Sequence, residues 1–255
     1  CMVEAEGLNS MLAACRTKVT EGMVIRTESE TLTSFRRTML RLILANHNVD
    51  CMSCPGNGVC RLQELCNAYD VREAGFEGSR MEMEKKLPLL NDHPYLSYEP
   101  GKCIHCQRCI SVCHRAAVNG TLSSGRSGTR HMVEAPFGPG WEDTGCESCG
   151  NCAQACPTGA LTLKRRYGYR EWEVKKVRTT CPHCATGCQM DLVVKGNRIV
   201  SVESADGPSN HFLMCVKGRS GSFDFVHSDN RLRTPLIKNR ETGKFEPASW
   251  DEAIN

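Results

Sequence analysis

The sequence has few aromatic residues, little net charge and no long apolar run, and each shortage excludes a class of protein. Aromatic residues make up 6% of the 255 positions, which is little for one large hydrophobic core. No apolar run approaches the roughly 20 residues that a membrane-spanning helix needs, so we expect no transmembrane segment. The net charge is only +3, and the densest basic run, 164–178, also carries two glutamates. We therefore expect no nucleic-acid partner.

Cysteine, in contrast, is abundant. The chain has 18 cysteines, and they occur in tight groups separated by stretches that contain none. Thiolates two or three residues apart can converge on one metal centre, whereas such close neighbours rarely reach the Cα separations of a disulfide network. The grouping predicts several small modules that are stabilised by metal.

Two of the groups repeat one spacing, C-x2-C-x2-C-x3-C, in CIHCQRCISVCH (103–114) and CESCGNCAQACP (146–157). This is the bacterial two-cluster ferredoxin run, in which the fourth cysteine of each run ligates the other cluster. We assign one [4Fe–4S] cluster to Cys103, Cys106, Cys109 and Cys156, and a second to Cys146, Cys149, Cys152 and Cys113. His114 stands where the first run would have proline, which is not a ligand. A zinc site or a redox C-x-x-C pair is the alternative.

A third group combines a histidine with three cysteines at the spacing H-x3-C-x2-C-x5-C. Its members are His47, Cys51, Cys54 and Cys60. A helix that ends just before His47 is predicted by Leu32, Phe35, Met39 and Ile43, which recur at helical spacing. The spacing alone leaves open whether His47 is a ligand or an ordinary surface or core residue. A neutral imidazole ligand would raise the reduction potential of a third [4Fe–4S] cluster relative to an all-cysteine site.

Cys66 follows this group and tests whether every cysteine is a ligand. It shares a helical stripe with Val59, Leu62 and Tyr69. We therefore interpret Cys66 as a core thiol and not as a ligand.

The fourth group, CPHCATGC, is followed by a distant cysteine in LMCVKGR. Its cysteines are Cys181, Cys184, Cys188 and Cys215. A β-hairpin is predicted by alternating Met190, Leu192 and Val194, a Gly-Asn turn and an apolar return over 199–202. This hairpin would bring the last cysteine back to the first three. Zinc is again an alternative, since zinc ribbons are built in this way, and we interpret His183 as exposed.

The order of these groups resembles the catalytic subunit of NAD-dependent molybdenum or tungsten formate dehydrogenases. The opening CMVEAEG is similar to the end of a plant-type [2Fe–2S] domain, which implies that Cys1 and Cys15 are the last two of four ligands. The His47 group matches that family's histidine-ligated [4Fe–4S] domain, which implies that His47 is a ligand. The segments TTCPHCATGC, LMCVKGR and DNRLRTPLIK resemble the [4Fe–4S] domain that opens molybdopterin oxidoreductases. There Lys217 would lie between cluster and pterin, the alternative being a surface lysine.

The resemblance implies an α+β, multi-module iron–sulfur fold. Its segments would be the C-terminal part of a plant-type [2Fe–2S] domain (1–30), a small helical His/Cys [4Fe–4S] domain (31–75), a two-[4Fe–4S] ferredoxin domain (76–170), a small β-rich molybdopterin oxidoreductase [4Fe–4S] domain (171–235) and the start of a catalytic domain (236–255). The start at a cysteine and the stop within SWDEAIN, which is typical of a helix start, lead us to expect a fragment. We assign no catalytic residue.

The function implied by the resemblance is the oxidation of formate to CO2. The expected cofactors are four [4Fe–4S] clusters, a [2Fe–2S] cluster if its first two ligands are present, and a molybdenum or tungsten bis(pterin guanine dinucleotide) bound mainly beyond residue 255. The expected partner is a subunit with flavin and iron–sulfur clusters that oxidises NADH or reduces NAD, and ferredoxin or hydrogenase subunits are further candidates. Oxidation-sensitive clusters favour a cytoplasmic location.

Three alternatives remain open. One is a non-catalytic iron–sulfur electron-transfer subunit, and another is a different molybdopterin reductase. The third is a complex I-like subunit, which we expect to match the ends of this pattern but to match its middle poorly. An [FeFe]-hydrogenase shares the earlier modules but lacks the CPHCATGC domain.

Overall fold

The structure, a computed structural model, describes residues 2–8, 10–76, 89–125, 132–134, 140–220 and 223–255. The predicted ligand Cys1 lies outside these residues. The chain begins with a small antiparallel sheet in which β1 (Met2–Ala5) lies between β2 (Leu12–Ala13) and β3 (Ile25–Arg26). Cys15 follows β2 and is exposed.

A helical module (residues 30–71) follows, built from α1 (Glu30–Asn46) and α2 (Arg61–Ala68). The Ser29 hydroxyl caps α1 by accepting the N–H of Leu32 at 3.0 Å. The helix ends with His47 as its C-terminal cap. The predicted helix before His47 is therefore confirmed.

The buried face of α1 differs from the predicted one. Leu32, Leu40 and Leu44 are buried, whereas Met39 is 41% exposed. Leu40 and Leu44 lie one turn apart and pack into a core with Leu62 of α2. Met39 is rotated about 100° from Leu40 around the helix axis and so misses this core. Cys66 packs against the same core, as predicted.

The central module (described residues 89–169) contains both repeated cysteine runs. Strand β4 (Leu96–Tyr98) pairs antiparallel with β7 (Leu161–Leu163), and β5 (Ser123–Gly125) pairs with β6 (Met132–Glu134). Each run leads into a short helix, α3 (Arg108–Ser111) or α4 (Asn151–Ala155). A π-helical turn, Val112–Ala116, continues α3 and carries the last cysteine of the first run. The two strand pairs bury a shared core that includes Leu96, Leu122 and Leu161.

The C-terminal module (described residues 175–227) is built on a three-stranded antiparallel sheet. Strand β9 (Gln189–Lys195) lies between β8 (Lys175–Thr180) and β10 (Arg198–Ser204). The predicted hairpin is confirmed, with its turn at 196–197. A register shift between Ile199 and Ser201 lets Val202 face Leu192. Helix α5 (Val216–Arg219) follows directly after Cys215.

The last described elements are a hairpin, β11 (Leu236–Lys238) with β12 (Phe245–Pro247), and α6 (Trp250–Ile254). The helix start predicted within SWDEAIN is confirmed, and Ser249 and Glu252 form a capping box there. Among the described residues, no helix is both long and apolar enough to span a bilayer. The chain is thus a multi-module protein of mixed short helices and sheets, and its cysteine groups lie in the loops between these elements and in the short helices that follow them.

Candidate metal centres

The central module brings the last cysteine of the first run to the second run. One small cavity is lined by four cysteines: Cys113, Cys146, Cys149 and Cys152. Burial raises the pKa of Cys146, and the charges of Cys149 and Cys113 raise it further. These four are the crossed set that the ferredoxin spacing predicts. We call them the second-run site.

The reciprocal exchange places Cys156 with the first run. Burial, followed by the charges of Cys156, Cys103 and Cys106, raises the pKa of Cys109 to about 12. Cys103 has the same neighbours, since its pKa is raised by burial and by the charges of Cys156 and Cys106. We call Cys103, Cys106, Cys109 and Cys156 the first-run site.

These buried thiols suit the ligands of a metal cluster better than they suit free cysteines. Burial raises the pKa of Cys152 as well, so neither it nor Cys109 carries a thiolate at neutral pH without a cation. A bound metal supplies that charge and deprotonates the thiols. Among the described residues, no group of three His, Cys, Asp or Glu side chains forms a single-ion site.

The His47 site lies at the end of α1. A cavity of about 460 Å³ is lined by all four predicted ligands: His47, Cys51, Cys54 and Cys60. His47 itself is 8% exposed. Burial raises the pKa of Cys54 and Cys60, as it does in the central module. The cavity also reaches Cys66, so this thiol borders the site as well as the core.

The central module closes the His47 site with a glycine. A Cβ at Gly159 would lie 2.2 Å from the sulfur of Cys54, and one at Gly56 would lie 2.9 Å from the backbone nitrogen of Gly159. Only glycine allows this approach of backbone to ligand. The cradle that surrounds Cys54 is therefore shaped by residues of both modules.

A buried cation lies between the His47 site and the first-run site. Lys102 is 3% exposed, directly precedes Cys103 and pairs with Glu99 at 2.8 Å. Burial alone would lower the pKa of Lys102, but the hydrogen bond to Glu99 and the charge of Cys54 outweigh it and raise the pKa. The lysine therefore stays charged beside both sets of sulfur ligands.

The fourth site forms where the hairpin of the C-terminal module returns the chain. Burial raises the pKa of Cys188, and the charges of Cys181, Cys184 and Cys215 raise it further. The four predicted ligands are therefore brought together, and we call them the C-terminal site. Cys184 is exposed, and the Thr186 hydroxyl 3.4 Å from its sulfur lowers its pKa.

Two other residues of this module relate to the predictions. Lys217 is exposed on α5, two residues after Cys215. His183, which we expected to be exposed, is half-buried, because its ring packs edge-on against Phe223 with centroids 5.7 Å apart.

Sequence reasoning missed Arg219, which joins two modules. Its side chain is buried and lies between the C-terminal site and the second-run site, where Nε donates to the carbonyl of Cys149 at 2.8 Å. Its terminal nitrogens donate to the side chains of Gln154 at 2.6 Å, Asn151 at 2.9 Å and Ser204 at 3.1 Å. Burial lowers the pKa of Arg219 to about 10, so the guanidinium remains charged at neutral pH. An arginine four residues after a cysteine carries no sequence signal of such burial.

The sequence analysis did not predict a role for His93 either, because its segment, HPYLSYE, contains no spacing typical of metal ligands. Its side chain is 0% exposed and packs against the ring of Trp141 with centroids 4.6 Å apart. Its Nε2 lies 3.2 Å from Ser148 Oγ and 3.9 Å from Cys146 Sγ. Burial, with a contribution from the charge of Lys164, lowers the pKa of His93 to about 4, so the ring is neutral.

Three protein-family models match separate parts of the chain. Residues 36–74 match the NADH-ubiquinone oxidoreductase-G iron-sulfur binding region, and 102–160 match the 4Fe-4S dicluster domain. Residues 174–227 match the molybdopterin oxidoreductase Fe4S4 domain. The three ranges contain the His47 site, both sites of the central module and the C-terminal site, respectively.

Curated relatives align over almost the whole chain. The NADH-quinone oxidoreductase G subunit 2 of Rhizobium meliloti is 36% identical over 99% of this chain. NADPH-Fe(3+) oxidoreductase subunit alpha of Geobacter sulfurreducens is 32% identical, and a Staphylococcus haemolyticus protein with the provisional name formate dehydrogenase is 28% identical, both over 100% of the chain. The chain spans 29% of the length of each of these relatives. The alignment to the Rhizobium meliloti protein includes the middle of the chain.

A solved structure is similar as well. The NAD+-reducing [NiFe]-hydrogenase in its H2-reduced state is 30% identical with a TM-score of 0.57, and the match covers 64% of this chain and 68% of that one. Each family model that matches describes an iron–sulfur domain, and several of them are [4Fe–4S] domains. The chain therefore carries the iron–sulfur domains of the NADH-quinone oxidoreductase G and molybdopterin oxidoreductase family.

Proposed function

We propose that this chain is the electron-transfer portion of a formate dehydrogenase, and that it connects a formate-oxidising centre to a partner subunit with flavin and iron–sulfur clusters that reacts with NAD. The observation that carries the proposal is the arrangement of the four sites. Consecutive sites are neighbours: hydrogen bonds join the first to the second and the third to the fourth, and the second and third share the central module, where Cys109 acts on Cys152 through its charge. An electron relay requires such a sequence of neighbouring sites.

The first contact joins the His47 site to the first-run site. The N–H of Asn48 donates to the carbonyl of Gly101 at 2.7 Å, and the N–H of Arg61 donates to the carbonyl of Pro157 at 2.8 Å. Each of these bonds lies within two residues of a proposed ligand on both sides. The two sites are therefore held at a fixed separation by backbone, which has less conformational freedom than side chains.

The remaining contacts join the first-run site to the second-run site, and the second-run site to the C-terminal site. Within the central module, the charge of Cys109 contributes to the raised pKa of Cys152, so the first-run and second-run sites are neighbours. The second-run site meets the C-terminal site where the N–H of Met214 donates to Asn151 Oδ1 at 3.0 Å and Arg219 binds Cys149. The four sites thus follow one another in space in the same order as in the sequence.

We propose that each site holds one [4Fe–4S] cluster through the ligands named above, His47 included. Such a cluster accepts and releases one electron at a time when bound. The protein's part is to hold the ligands, to exclude water by burial and to place dipoles and charges beside the sulfurs. Lys102 and Arg219 are two such charges.

Two further assignments rest on the family resemblance alone. We propose that Cys1 and Cys15 contribute to a [2Fe–2S] cluster whose other ligands lie outside this chain. We also propose that Lys217 lies between the C-terminal site and a molybdenum or tungsten pterin cofactor, for which its exposed position on α5 leaves room. We place the complex in the cytoplasm, where thiolate ligands stay reduced.

A specific observation favours a second candidate. The relative that is 36% identical is named as a subunit of an NADH-quinone oxidoreductase, and the region around the His47 site matches the corresponding family model. In that case the same relay would receive electrons from NADH through the flavin subunit, and formate would not be a substrate. Both candidates use the four sites in the same way and differ only in the electron donor.

The experiment that separates the candidates uses the intact native complex without oxygen. Formate is added, and bleaching of the iron–sulfur absorption is followed, with NADH as a parallel reductant. Bleaching by formate supports the formate dehydrogenase. Bleaching by NADH alone rules out formate as the substrate and favours the second candidate, whereas bleaching by dithionite but by neither donor rejects both.

A further inference from the structure

The segment that leads into β4 places two buried polar side chains beside the two sites of the central module. His93 lies just before β4 and Tyr98 is its last residue, and their exposed fractions are 0% and 1%. Neither belongs to a cysteine group, and neither is a proposed ligand. Fully buried polar side chains are retained where their hydrogen bonds are satisfied, so their partners reveal what they do.

The hydrogen bonds of His93 determine which ring nitrogen carries the proton. The backbone N–H groups of Tyr95 and Leu96 both donate to Nδ1, each at 3.1 Å. Because both partners are donors, Nδ1 must be the acceptor of the neutral ring, and the proton resides on Nε2. The backbone of β4 therefore holds His93 in one tautomer and one orientation.

The Nε2–H group faces the second-run site. It lies 3.2 Å from Ser148 Oγ and 3.9 Å from the sulfur of Cys146, so the proton is shared between a hydroxyl and a ligand sulfur. The backbone N–H of Ser148 donates to the same sulfur at 3.4 Å. Ser148 has a left-handed backbone (φ 57°), which turns its N–H toward the preceding cysteine. Two N–H dipoles thus converge on Cys146.

The first-run site has a matching arrangement with a different donor. His105 also has a left-handed backbone (φ 54°), and its N–H hydrogen-bonds the sulfur of Cys103, which works against the rise in that thiol's pKa. Here the second donor is the Tyr98 hydroxyl, which accepts the N–H of Val133 at 3.2 Å and hydrogen-bonds Cys103. Both residues therefore accept from the backbone and approach the first cysteine of a run: His93 does so with its two ring nitrogens, and Tyr98 with its one hydroxyl.

A donor beside a ligand sulfur acts on the reduction potential. The reduced cluster carries one more negative charge than the oxidised cluster, and part of that charge resides on the sulfur ligands. A hydrogen bond to such a sulfur is stronger when the sulfur is more negative, so it stabilises the reduced state and raises the potential. Burial strengthens the effect, because water does not screen the dipole.

We propose that His93 is a positioning residue that donates a hydrogen bond from Nε2 to the ligand shell of Cys146 and raises the reduction potential of the second-run cluster. Tyr98 serves the first-run cluster through Cys103. This inference rests on the proposed ligand sets but on neither the substrate nor the partner. It assigns one donor to each cluster: His93, just before β4, to the second-run cluster and Tyr98, at the end of β4, to the first-run cluster.

The test is a mediated redox titration with dithionite on the intact complex, in which each cluster is followed by its electron paramagnetic resonance signal. The second-run signal is the one that is lost in Cys146→Ser. His93→Asn keeps a side-chain oxygen that can accept from Tyr95 and Leu96, but it removes the Nε2 donor. We expect the midpoint potential of the second-run cluster to shift downward in this variant, while the other clusters keep theirs.

Two further variants make the result specific. His93→Gln can place an amide N–H near the position of Nε2, so we expect it to restore part of the shift. Tyr98→Phe removes the other donor, so we expect a downward shift of the first-run cluster only. An unchanged second-run potential in His93→Asn overturns the proposal, as does loss of the second-run signal in both His93 variants. Absence of any signal that depends on Cys146 in the unaltered protein would instead reject the ligand set.

Discussion

The two cysteine runs of the central module share one spacing but differ in their surroundings. In the first run, residues 105–108 are all exposed, and Cys106 is an exposed thiol. In the second run, Ser148 and residues 150–152 are buried. Identical ligand spacing therefore produces one site that is more exposed and one that is more buried. Since burial and hydrogen bonds to sulfur set the potential of a cluster, the two clusters are expected to differ although their ligands do not.

The difference arises from which modules cover each run. The second run lies between the segment before β4, which contributes His93, and the C-terminal module, which contributes Arg219. The first run meets the helical module mainly through Ile104, which packs against the core of α1 and α2. The C-terminal module thus adds cover to the second run, whereas the loop of the first run keeps residues 105–108 in solvent.

The largest expected effect tests whether the runs exchange their fourth ligands. Cys156→Ser removes a thiolate that lies with the first run, so we expect loss of the first-run cluster while the second-run cluster remains. Iron content and the electron paramagnetic resonance spectrum of the reduced protein measure this. Cys66→Ser is the matched control, and we expect it to leave all clusters in place. Loss of the second-run signal in Cys156→Ser would show that the ligands are not crossed.

The next effect concerns the side that buries the second run. Arg219→Gln removes charged hydrogen bonds to Cys149 and its neighbours and leaves buried acceptors without donors. We expect a loss of about 3 kcal/mol from the unfolding free energy of the second-run site and the C-terminal module. Denaturant titration of the intact complex, followed by cluster absorption, measures it.

The control for this variant is Arg240→Gln, at an exposed position. Equal denaturation midpoints for Arg219→Gln and Arg240→Gln would mean that Arg219 does not hold the two modules together. In that case only the segment around β4, and not Arg219, would account for the greater burial of the second run.

The smallest effect probes how the central module closes the His47 site. Gly159→Ala puts a methyl group 2.2 Å from the sulfur of Cys54, so the ligand or the backbone must move. We expect the free energy of unfolding to fall by about 2 kcal/mol, as is usual for overpacking. We also expect a chelator to remove the His47-site cluster faster.

Gly168→Ala is the matched control, because a Cβ there meets nothing within 4 Å. Equal rates of cluster loss in Gly159→Ala and Gly168→Ala would contradict the close approach of the two modules. The rates are measured by the decay of the cluster absorption after the chelator is added.

Local spacing accounts for what could be predicted from the sequence. The helix before His47, the hairpin before Cys215 and the helix start within SWDEAIN all depend on residues within a few positions of one another. The grouping of cysteines has the same local origin, since a loop of two or three residues can direct its thiolates to one point. The buried face of α1 was predicted only in part, because α2 and not the helix itself determines which residues are covered.

The sequence by itself determined the number of cysteine groups, their order and the elements that carry them, because these follow from short-range geometry. Only the tertiary structure decided that the second run is more buried than the first, and that His93 and Arg219 reach ligand residues 53 and 70 positions away. Such contacts form when separate modules pack, and no periodicity in the chain records them. The physical reason is that spacing along the chain specifies which side chains can share a metal, whereas burial and neighbouring dipoles depend on what the rest of the fold places around them.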